Sequence, residues 1–480
     1  MEKILNFING RLTEPIGNSY IPDYCPMNGK EYALIPDSDE RDVNMAVEAA
    51  LKAFKTWSKT PAEKRAACLF KLAELIEKNA EDFARAETLD NGKPISLSRA
   101  VDIPRGSANF RFYAHALLQM HTEAYPMDDV AINYVLRKPL GVAGCISPWN
   151  LPLYLFSWKV APALAAGCSV VAKPSELTPM TAFMLSKLIP EAGFPEGVFN
   201  IIHGLGAKAG NAVVAHPNIP AISFTGGTVT GKHISSVAAP MFKKLSLELG
   251  GKNPNIIFAD CDFESMMKTT MLSSFSNQGQ ICLCGSRIYV EENLYEKFKN
   301  EFVKRVLELK VGNPLDEKTK VGAVVSEAHK KKILGYIELA QKEGGKILCG
   351  GREATVEDDL KGGYYVMPTV IEGLDHTCRT NQEEIFGPVV TIQPFKTEDE
   401  VLEMANSTIY GLSSTIWTNN LKRAHRMAAE LEAGIVWVNG WLIRDLRTPF
   451  GGMKASGIGR EGGTQAIEFF TEEKNVCIKL

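Results

Sequence analysis

The sequence predicts an α/β protein built from two open, parallel-sheet domains, and three observations carry that prediction. At 480 residues the chain exceeds what one hydrophobic core organises, about 250 to 300 residues. Between Leu164 and Gly251 short apolar runs (CSVVAK, VFNIIHG, AISFTG) alternate with helical segments, the pattern of strand-helix-strand units that assemble parallel sheets. The same alternation restarts after Pro254, so a second sheet follows the first.

The elements follow in order. From Asp42 to Lys93 apolar residues recur at helical spacing in DVNMAVEAALKAFKTW and PAEKRAACLFKLAELIEKNAEDFARAE, where Pro61 suits a first turn. A third helix follows Ile103-Pro104-Arg105. INYVLRKPLG alternates as a strand does, and VAGCISPWN reads as a buried strand running into a loop. Beyond Pro254 come the strand NIIFAD, a helix from Phe263 to Phe275, the strand SRIYV and a long helix from Tyr295 to Leu309. The strands VMPTVI, VVTIQPF, TIWT and GIVWVNG complete the second sheet. The terminal KNVCIKL alternates as an edge strand with little core of its own, and is expected to pair with another subunit.

A net charge of -3 gives no electrostatic reason for a nucleic-acid or anionic-membrane partner, so a small-molecule ligand is expected. The opening MEKILNFINGRLTE resembles neither a secretory leader nor a span, and no run approaches about 18 apolar residues. A cytoplasmic protein is expected. Ten cysteines are scattered with no metal-ligand spacing, so no metal is expected and most read as small buried hydrophobes. Cys282 stands apart because NQGQICLCGSR sets it one residue from Cys284 among small and amide side chains.

A nucleophilic cysteine needs a proton acceptor and a donor for the oxyanion it creates. Glu248 in LELGGKNP lies between two leucines, where desolvation raises a carboxylate toward the range of a general base; the plainer alternative is a helix-terminal salt bridge. Asn150 in SPWN can donate to an oxyanion, with Trp149 beside it to pack on a cofactor, or can be a simple turn residue. A cysteine-histidine hydrolase is the rival, but none of the eight histidines sits in a comparable setting: His115, His329 and His425 fall in helical runs, and His203 and His216 in turns.

Dinucleotide features are also present. In AISFTGGTVTG a strand ends at Phe224, Gly226 and Gly227 permit close backbone approach, and a helix opens near Val229, so its positive end would face a pyrophosphate. HGLGAKAG, with Gly206, is a weaker match whose spacing is off by one. VVAKPSE delivers Lys173, Ser175 and Glu176 to the carboxyl end of a sheet. Glu176 there would accept from an adenosine ribose and repel a 2'-phosphate, favouring NAD over NADP; the alternative is a solvated Lys173–Glu176 ion pair.

Taken together and in order, SPWN, KPSE, FTGGTVTG, LELGGKNP, NQGQICLCGSR, EEIFGPV and PFGGMKASGIGREGG resemble the NAD-dependent aldehyde dehydrogenase superfamily over almost the whole chain. The resemblance implies the aldehyde dehydrogenase fold: a Rossmann-like cofactor domain (1–121 and 139–247), a catalytic domain (248–450) and a small oligomerisation sheet (122–138 and 465–480) in a homodimer or homotetramer. It implies Cys282 as nucleophile with Cys284 packing, Asn150 and the Cys282 amide as oxyanion hole, and Glu248 as the base that activates the deacylating water. Lys173 and Glu176 match adenosine-ribose contacts, Gly226 and Gly227 the pyrophosphate turn, and Glu384 and Phe386 the nicotinamide-ribose contacts. Ile146, Ser147, Pro148, Trp149, Ser175, Gly206, Phe224, Gly231 and Leu249 complete the NAD site so implied. Gly227 departs from the serine of many relatives.

Arginine is odd in an aldehyde pocket unless the substrate carries an anion. DIPR, GQICLC and WLIRDLRTPFGG resemble the branch that oxidises muconic semialdehydes, in which Arg105 and Arg444 match a clamp on the substrate carboxylate. IVWVNGWLIRDL leans toward the 2-amino substrate of tryptophan-kynurenine breakdown over its 2-hydroxy analogue. Retinal or another apolar aldehyde fits if the arginines are structural, with Arg444 paired to Asp445 and Arg105 capping its own helix. A catalytically retired binding protein is disfavoured by the presence of Cys282, Glu248 and Asn150.

Overall fold

The computed structural model describes residues 2–480. Five parallel strands form the centre of the first sheet, in the spatial order Phe199–Ile201, Ser169–Lys173, Val142–Ile146, Ala221–Thr225, Lys244–Glu248. Numbered along the chain from Val142–Ile146, the order is 3-2-1-4-5, a doubly wound sheet whose direction reverses beside its first strand. Register aligns the carboxyl ends: Ile146 lies beside Lys173 and Phe224, and Thr225 beside Glu248. Loops leaving those ends therefore meet above one crevice.

Both faces of this sheet are covered, which is why its strands read as continuous apolar runs. Ala143, Cys145, Val170 and Ala172 pack on Leu153, Phe156, Val160 and Leu164 of the Pro152–Ala166 helix. Val142, Val171 and Ile222 pack on Val43, Val47 and Ala50 of the Glu40–Trp57 helix. Antiparallel additions close the edges, Asn6–Ile8 and Arg11–Thr13 on one side and Gly457–Ile458 on the other. These strands of two or three residues are too short to show a period in sequence.

The long helical run after Pro61 divides at Asn79 into Ala62–Lys78 and Ala80–Asn91. Asn79 leaves the helical conformation and its side chain donates back to the Leu75 carbonyl at 2.8 Å, closing one helix as the next begins. The helix carrying Arg105 spans Ile103–Leu118, with Pro104 in its first turn as expected.

The second sheet runs Lys346–Cys349, Thr369–Glu372, Val389–Phe395, Arg287–Glu291, Pro254–Ile257, Ser413–Trp417, Ile435–Val438, parallel except at the first edge. The chain passes between sheets through the five residues Leu249–Asn253. After Phe450 it returns: Gly457–Ile458 joins the first sheet and the Gln465–Phe469 helix packs on Pro152–Ala166.

A third sheet contains Ala124–Met127, Ala131–Pro139 and Thr471–Lys479. The terminal strand pairs antiparallel along its whole length with Ala131–Pro139 of its own chain. Hydrogen bonding with that partner satisfies one edge and leaves the other open.

The loop carrying Arg444 is closed at its base where Gly434 passes the Gly451 carbonyl so closely that a Cβ would collide with it. Gly434→Ala is expected to cost at least about 2 kcal/mol in urea unfolding, because neither backbone can yield without moving its strand. Unchanged stability would show the approach to be slack.

Candidate active site

Above the carboxyl ends of the first sheet lies a cavity of about 750 Å³. Its wall is assembled one loop at a time: Ile146, Ser147, Pro148 and Trp149 after the first strand, Lys173, Ser175 and Glu176 after the second, Gly206 after the third, and Phe224, Gly226 and Gly227 after the fourth. Lys173 is 2% exposed and donates to Glu176 Oε2 at 2.6 Å, while Glu176 Oε1 accepts the Gly206 N–H at 3.2 Å. The ion pair weighed from sequence thus exists, but in a cavity wall rather than in solvent.

Gly227 is the N-cap of the Thr228–Ala238 helix and offers no side chain to the free N–H groups of its first turn. A Cβ there would meet nothing within 4 Å, so the helix end opens onto the cavity. The Ser147 hydroxyl in the same wall is buried without a hydrogen-bond partner among the described residues. An uncapped helix terminus, an unspent hydroxyl and a carboxylate at one end fit an elongated diphosphate with a ribose. Gly231 lies elsewhere: it is absent from the wall, and a Cβ on it would come within 2.6 Å of Leu249, so it sets helix-to-strand packing.

Pro148, Trp149, Gly226 and Gly227 are shared with a second cavity of about 260 Å³, which adds Asn150, Leu249, Cys282, His329, Glu384 and Phe386. Cys282 is partly exposed to it and Cys284 is 6% exposed and packed with Ile281, Leu283 and Leu412. The segment is held from behind by Asn253, whose Nδ2 donates to the Cys282 carbonyl at 2.7 Å and the Cys284 carbonyl at 2.9 Å. Its Oδ1 accepts from the Ser413 N–H at 3.0 Å, so the crossover between sheets grips both ends of the Cys282–Cys284 turn.

Asn150 is fixed equally firmly. Its Nδ2 donates to the Gln280 carbonyl at 3.0 Å, and its own carbonyl accepts from Asn277 Nδ2 at 2.8 Å and buried Lys93 Nζ at 3.0 Å. Lys93 is in turn paired with Glu87 and Asp102. Asn277 and Gln278 take left-handed φ angles of 50° and 55°, a sharp turn that brings Cys282 toward Asn150.

Glu248 ends its strand 4% exposed, and neither carboxylate oxygen has a hydrogen-bond partner among the described residues. The helix-terminal salt bridge considered from sequence is therefore not formed. Burial first, and the neighbouring Glu461 carboxylate second, push Glu248 far above the usual carboxylate range; Lys159 acts against this. Glu461 accepts from Lys159 Nζ at 2.9 Å and from Ser223 Oγ at 3.0 Å. Burial also raises the Cys282 thiol, reinforced by Glu384 and Glu248. Glu384 Oε1 accepts the Gly251 N–H at 2.9 Å.

His329, read from sequence only as part of a helical run, lines the same cavity as Cys282. Its Nε2 is bonded to the Phe386 carbonyl at 2.7 Å, and burial lowers it to about 4, so it is a neutral ring that holds left-handed Phe386. The hydrolase rival needs this nitrogen on the thiol, and it is committed elsewhere.

Arg444 does not pair with Asp445, which instead binds Arg447. Its guanidinium lies 4.1 Å from the Trp158 ring centroid and 4.4 Å from that of Phe450, and Nη1 donates to the Tyr154 hydroxyl. Arg105 lies over Tyr154 at 5.4 Å and makes no hydrogen bond or ion pair among the described residues. Burial, then Arg105, lowers Arg444 to about 10. Trp441, on the Arg444 loop, donates to the Leu283 carbonyl at 2.9 Å, seating that loop on the Cys282 segment.

Asn253, Lys93, Lys159, Glu461, His329 and Tyr154 were not selected from sequence. Glu461 and Asn253 lie inside quoted motifs, a signal that was available; the others gain their meaning only from contacts far along the chain.

The model of the Aldehyde dehydrogenase family matches residues 13–476, and the chain belongs to this family. Among its relatives is the 2-aminomuconic semialdehyde dehydrogenase of Danio rerio, 50% identical over 479 residues, covering 99% of this chain and 98% of that protein. The 2-hydroxymuconic semialdehyde dehydrogenase of Pseudomonas sp. (strain CF600) is 46% identical over 486 residues, covering 100% of each. The NAD+ complex of an aldehyde dehydrogenase from Bacillus cereus superposes with a TM-score of 0.97 at 40% identity, covering 100% of this chain and 97% of that one.

A carboxyl group raised by burial binds its proton more tightly folded than unfolded, so its share of stability falls as pH climbs above the unfolded value. Glu248→Gln is expected to melt above wild type at neutral pH, by a larger margin than at pH 5. A margin independent of pH would contradict the raised Glu248.

Proposed function

We propose that this enzyme oxidises 2-aminomuconate 6-semialdehyde to 2-aminomuconate with NAD, through a thiohemiacetal and a thioester on Cys282. The observation that carries the carboxylated substrate is the convergence of two guanidinium groups, neither paired with a carboxylate among the described residues, on Tyr154, four residues beyond Asn150. An apolar aldehyde gives such charges nothing to bind. The amino compound is preferred because the Danio rerio relative of that name is 50% identical, against 46% for the hydroxy-named Pseudomonas relative. 2-Hydroxymuconic semialdehyde is the second reading, since the two substrates differ by one small polar group.

Cys282 Sγ gives its proton to the Glu248 carboxylate, which passes it to solvent, and adds to the aldehyde carbon. Asn150 Nδ2 and the Cys282 backbone N–H hold the oxyanion. Bound NAD supplies the hydride acceptor. Lys173 and Glu176 would hold its adenosine ribose, the Glu176 charge opposing a 2'-phosphate; Gly226, Gly227 and the uncapped helix end would take the pyrophosphate, and Glu384 and Phe386 the nicotinamide ribose. Ile146, Ser147, Pro148, Trp149, Ser175, Gly206, Phe224 and Leu249 form the surrounding walls, with Gly231 packing beneath Leu249. Once the thioester has formed, Glu248 removes a proton from water as it attacks the acyl carbon, releasing the acid and Cys282.

Residues 1–121 with 139–247 would form the cofactor domain and 248–450 the catalytic domain. A homodimer or homotetramer through 122–138 and 465–480 is supported by the open edge of Thr471–Lys479 and by exposed Tyr125, Met127, Val130 and Ile132 on that sheet. A cytoplasmic setting is supported by ten cysteines all in the free thiol state. No helix among the described residues is long and apolar enough to cross a membrane.

Cys282→Ala is expected to abolish NADH formation while NAD still binds, measured by absorbance at saturating substrate and by calorimetry; wild-type turnover would remove Cys282 from the chemistry. Arg444→Ala should raise KM for a carboxylated semialdehyde by the equivalent of about 2 to 4 kcal/mol, far more than for a neutral aldehyde. Equal effects on both would count against the clamp.

A further inference from the structure

Tyr154 occupies the third position of the Pro152–Ala166 helix and is 2% exposed. Its oxygen accepts from Arg444 Nη1, and the two guanidinium groups lie over its ring at 5.4 Å for Arg105 and 5.5 Å for Arg444. A phenol carries one proton, and that proton has no acceptor among the described residues. Arg444 Nη2 is buried and also lacks a partner among them. The half-buried Arg105 guanidinium beside it makes no hydrogen bond or ion pair among them either. Three donors thus converge with no acceptor between them.

Buried donors left unpaired are costly, and two like charges on one ring repel, so the cluster is completed by an anion. The geometry points to Tyr154 as a specificity-determining residue: its hydroxyl, polarised by Arg444, donates to the substrate carboxylate alongside both arginines. This inference rests on the carboxylated-semialdehyde reading above. Asn150, assigned to the aldehyde end, lies in the loop just before this helix, and Tyr154, assigned to the carboxylate end, lies in its first turn. Tyr154 is held there by a helix whose every residue is buried. The ligand class is an aldehyde with a carboxylate at the far end of a short, unsaturated chain.

The test compares kcat/KM for 2-hydroxymuconic semialdehyde with that for 2,4-hexadienal, a neutral aldehyde of the same length, in wild type, Tyr154→Phe and Arg444→Ala. Loss of a hydrogen bond to a charged group should lower the carboxylated-to-neutral ratio of Tyr154→Phe by about 10- to 100-fold, chiefly through KM, with the Arg444→Ala ratio falling at least as far. A Tyr154→Phe ratio within about threefold of wild type beside a collapsed Arg444→Ala ratio would remove Tyr154 from the carboxylate site and leave the arginine clamp standing. Both ratios unchanged would overturn the carboxylated-substrate reading itself. Folding is checked by circular dichroism; if Tyr154→Phe does not fold, Tyr154→Met also lacks the hydroxyl and carries the same comparison.

Discussion

The passage of the chain from one sheet to the other is the constraint on which the remaining structure depends. Five residues, Leu249–Asn253, connect a strand ending in Glu248 to the strand beginning at Pro254. So short a link cannot wander, and Asn253 spends its whole amide on it, binding the carbonyls on either side of the Cys282–Cys284 turn and a strand N–H beyond. Replacing that side chain by an aliphatic one would strand two buried carbonyls, at about 1 to 3 kcal/mol each. Thiol, carboxylate and cofactor crevice are thereby referred to one fixed piece of backbone.

Against this rigid junction the charged groups are held under tension. Glu248 is buried without a hydrogen bond among the described residues, beside Glu461, with Lys159 supplying the positive charge that makes the neighbourhood tolerable. Such an arrangement trades stability for a carboxyl group held well above the usual carboxylate range and free of hydrogen-bond partners among the described residues. Lys93 works differently. Paired with Glu87 and Asp102 and bonded to the Asn150 carbonyl, it joins the Asn150 loop to the start of the segment that carries Arg105. The two regions are thus tied through one buried ammonium group.

The arginine cluster differs from both in being incomplete. Arg105, Arg444 and Tyr154 present donors in surplus, held on the faces of Tyr154, Trp158 and Phe450. Aromatic faces attract cations without consuming hydrogen-bond donors, so the guanidinium groups stay oriented while Arg444 Nη2 and the Arg105 guanidinium keep their donors.

Much of this was legible in the sequence, and the reason is local. Strand runs such as SVVAK and AISFT are apolar throughout because both faces are covered, and the glycines of FTGG and LGG stand where backbone must pass closely or open onto a ligand. Those properties belong to a few consecutive residues, so the two parallel sheets, Cys282, Asn150, Glu248 and the loops around the large cavity could be named in advance. What only the tertiary structure decided are pairings between residues far apart: that Arg444 turns to Tyr154 rather than to adjacent Asp445, that His329 faces the thiol cavity but is spent on Phe386, and that the last strand pairs within its own chain. A side chain selects its partner by burial and distance in space, and neither quantity is written in the order of neighbouring residues.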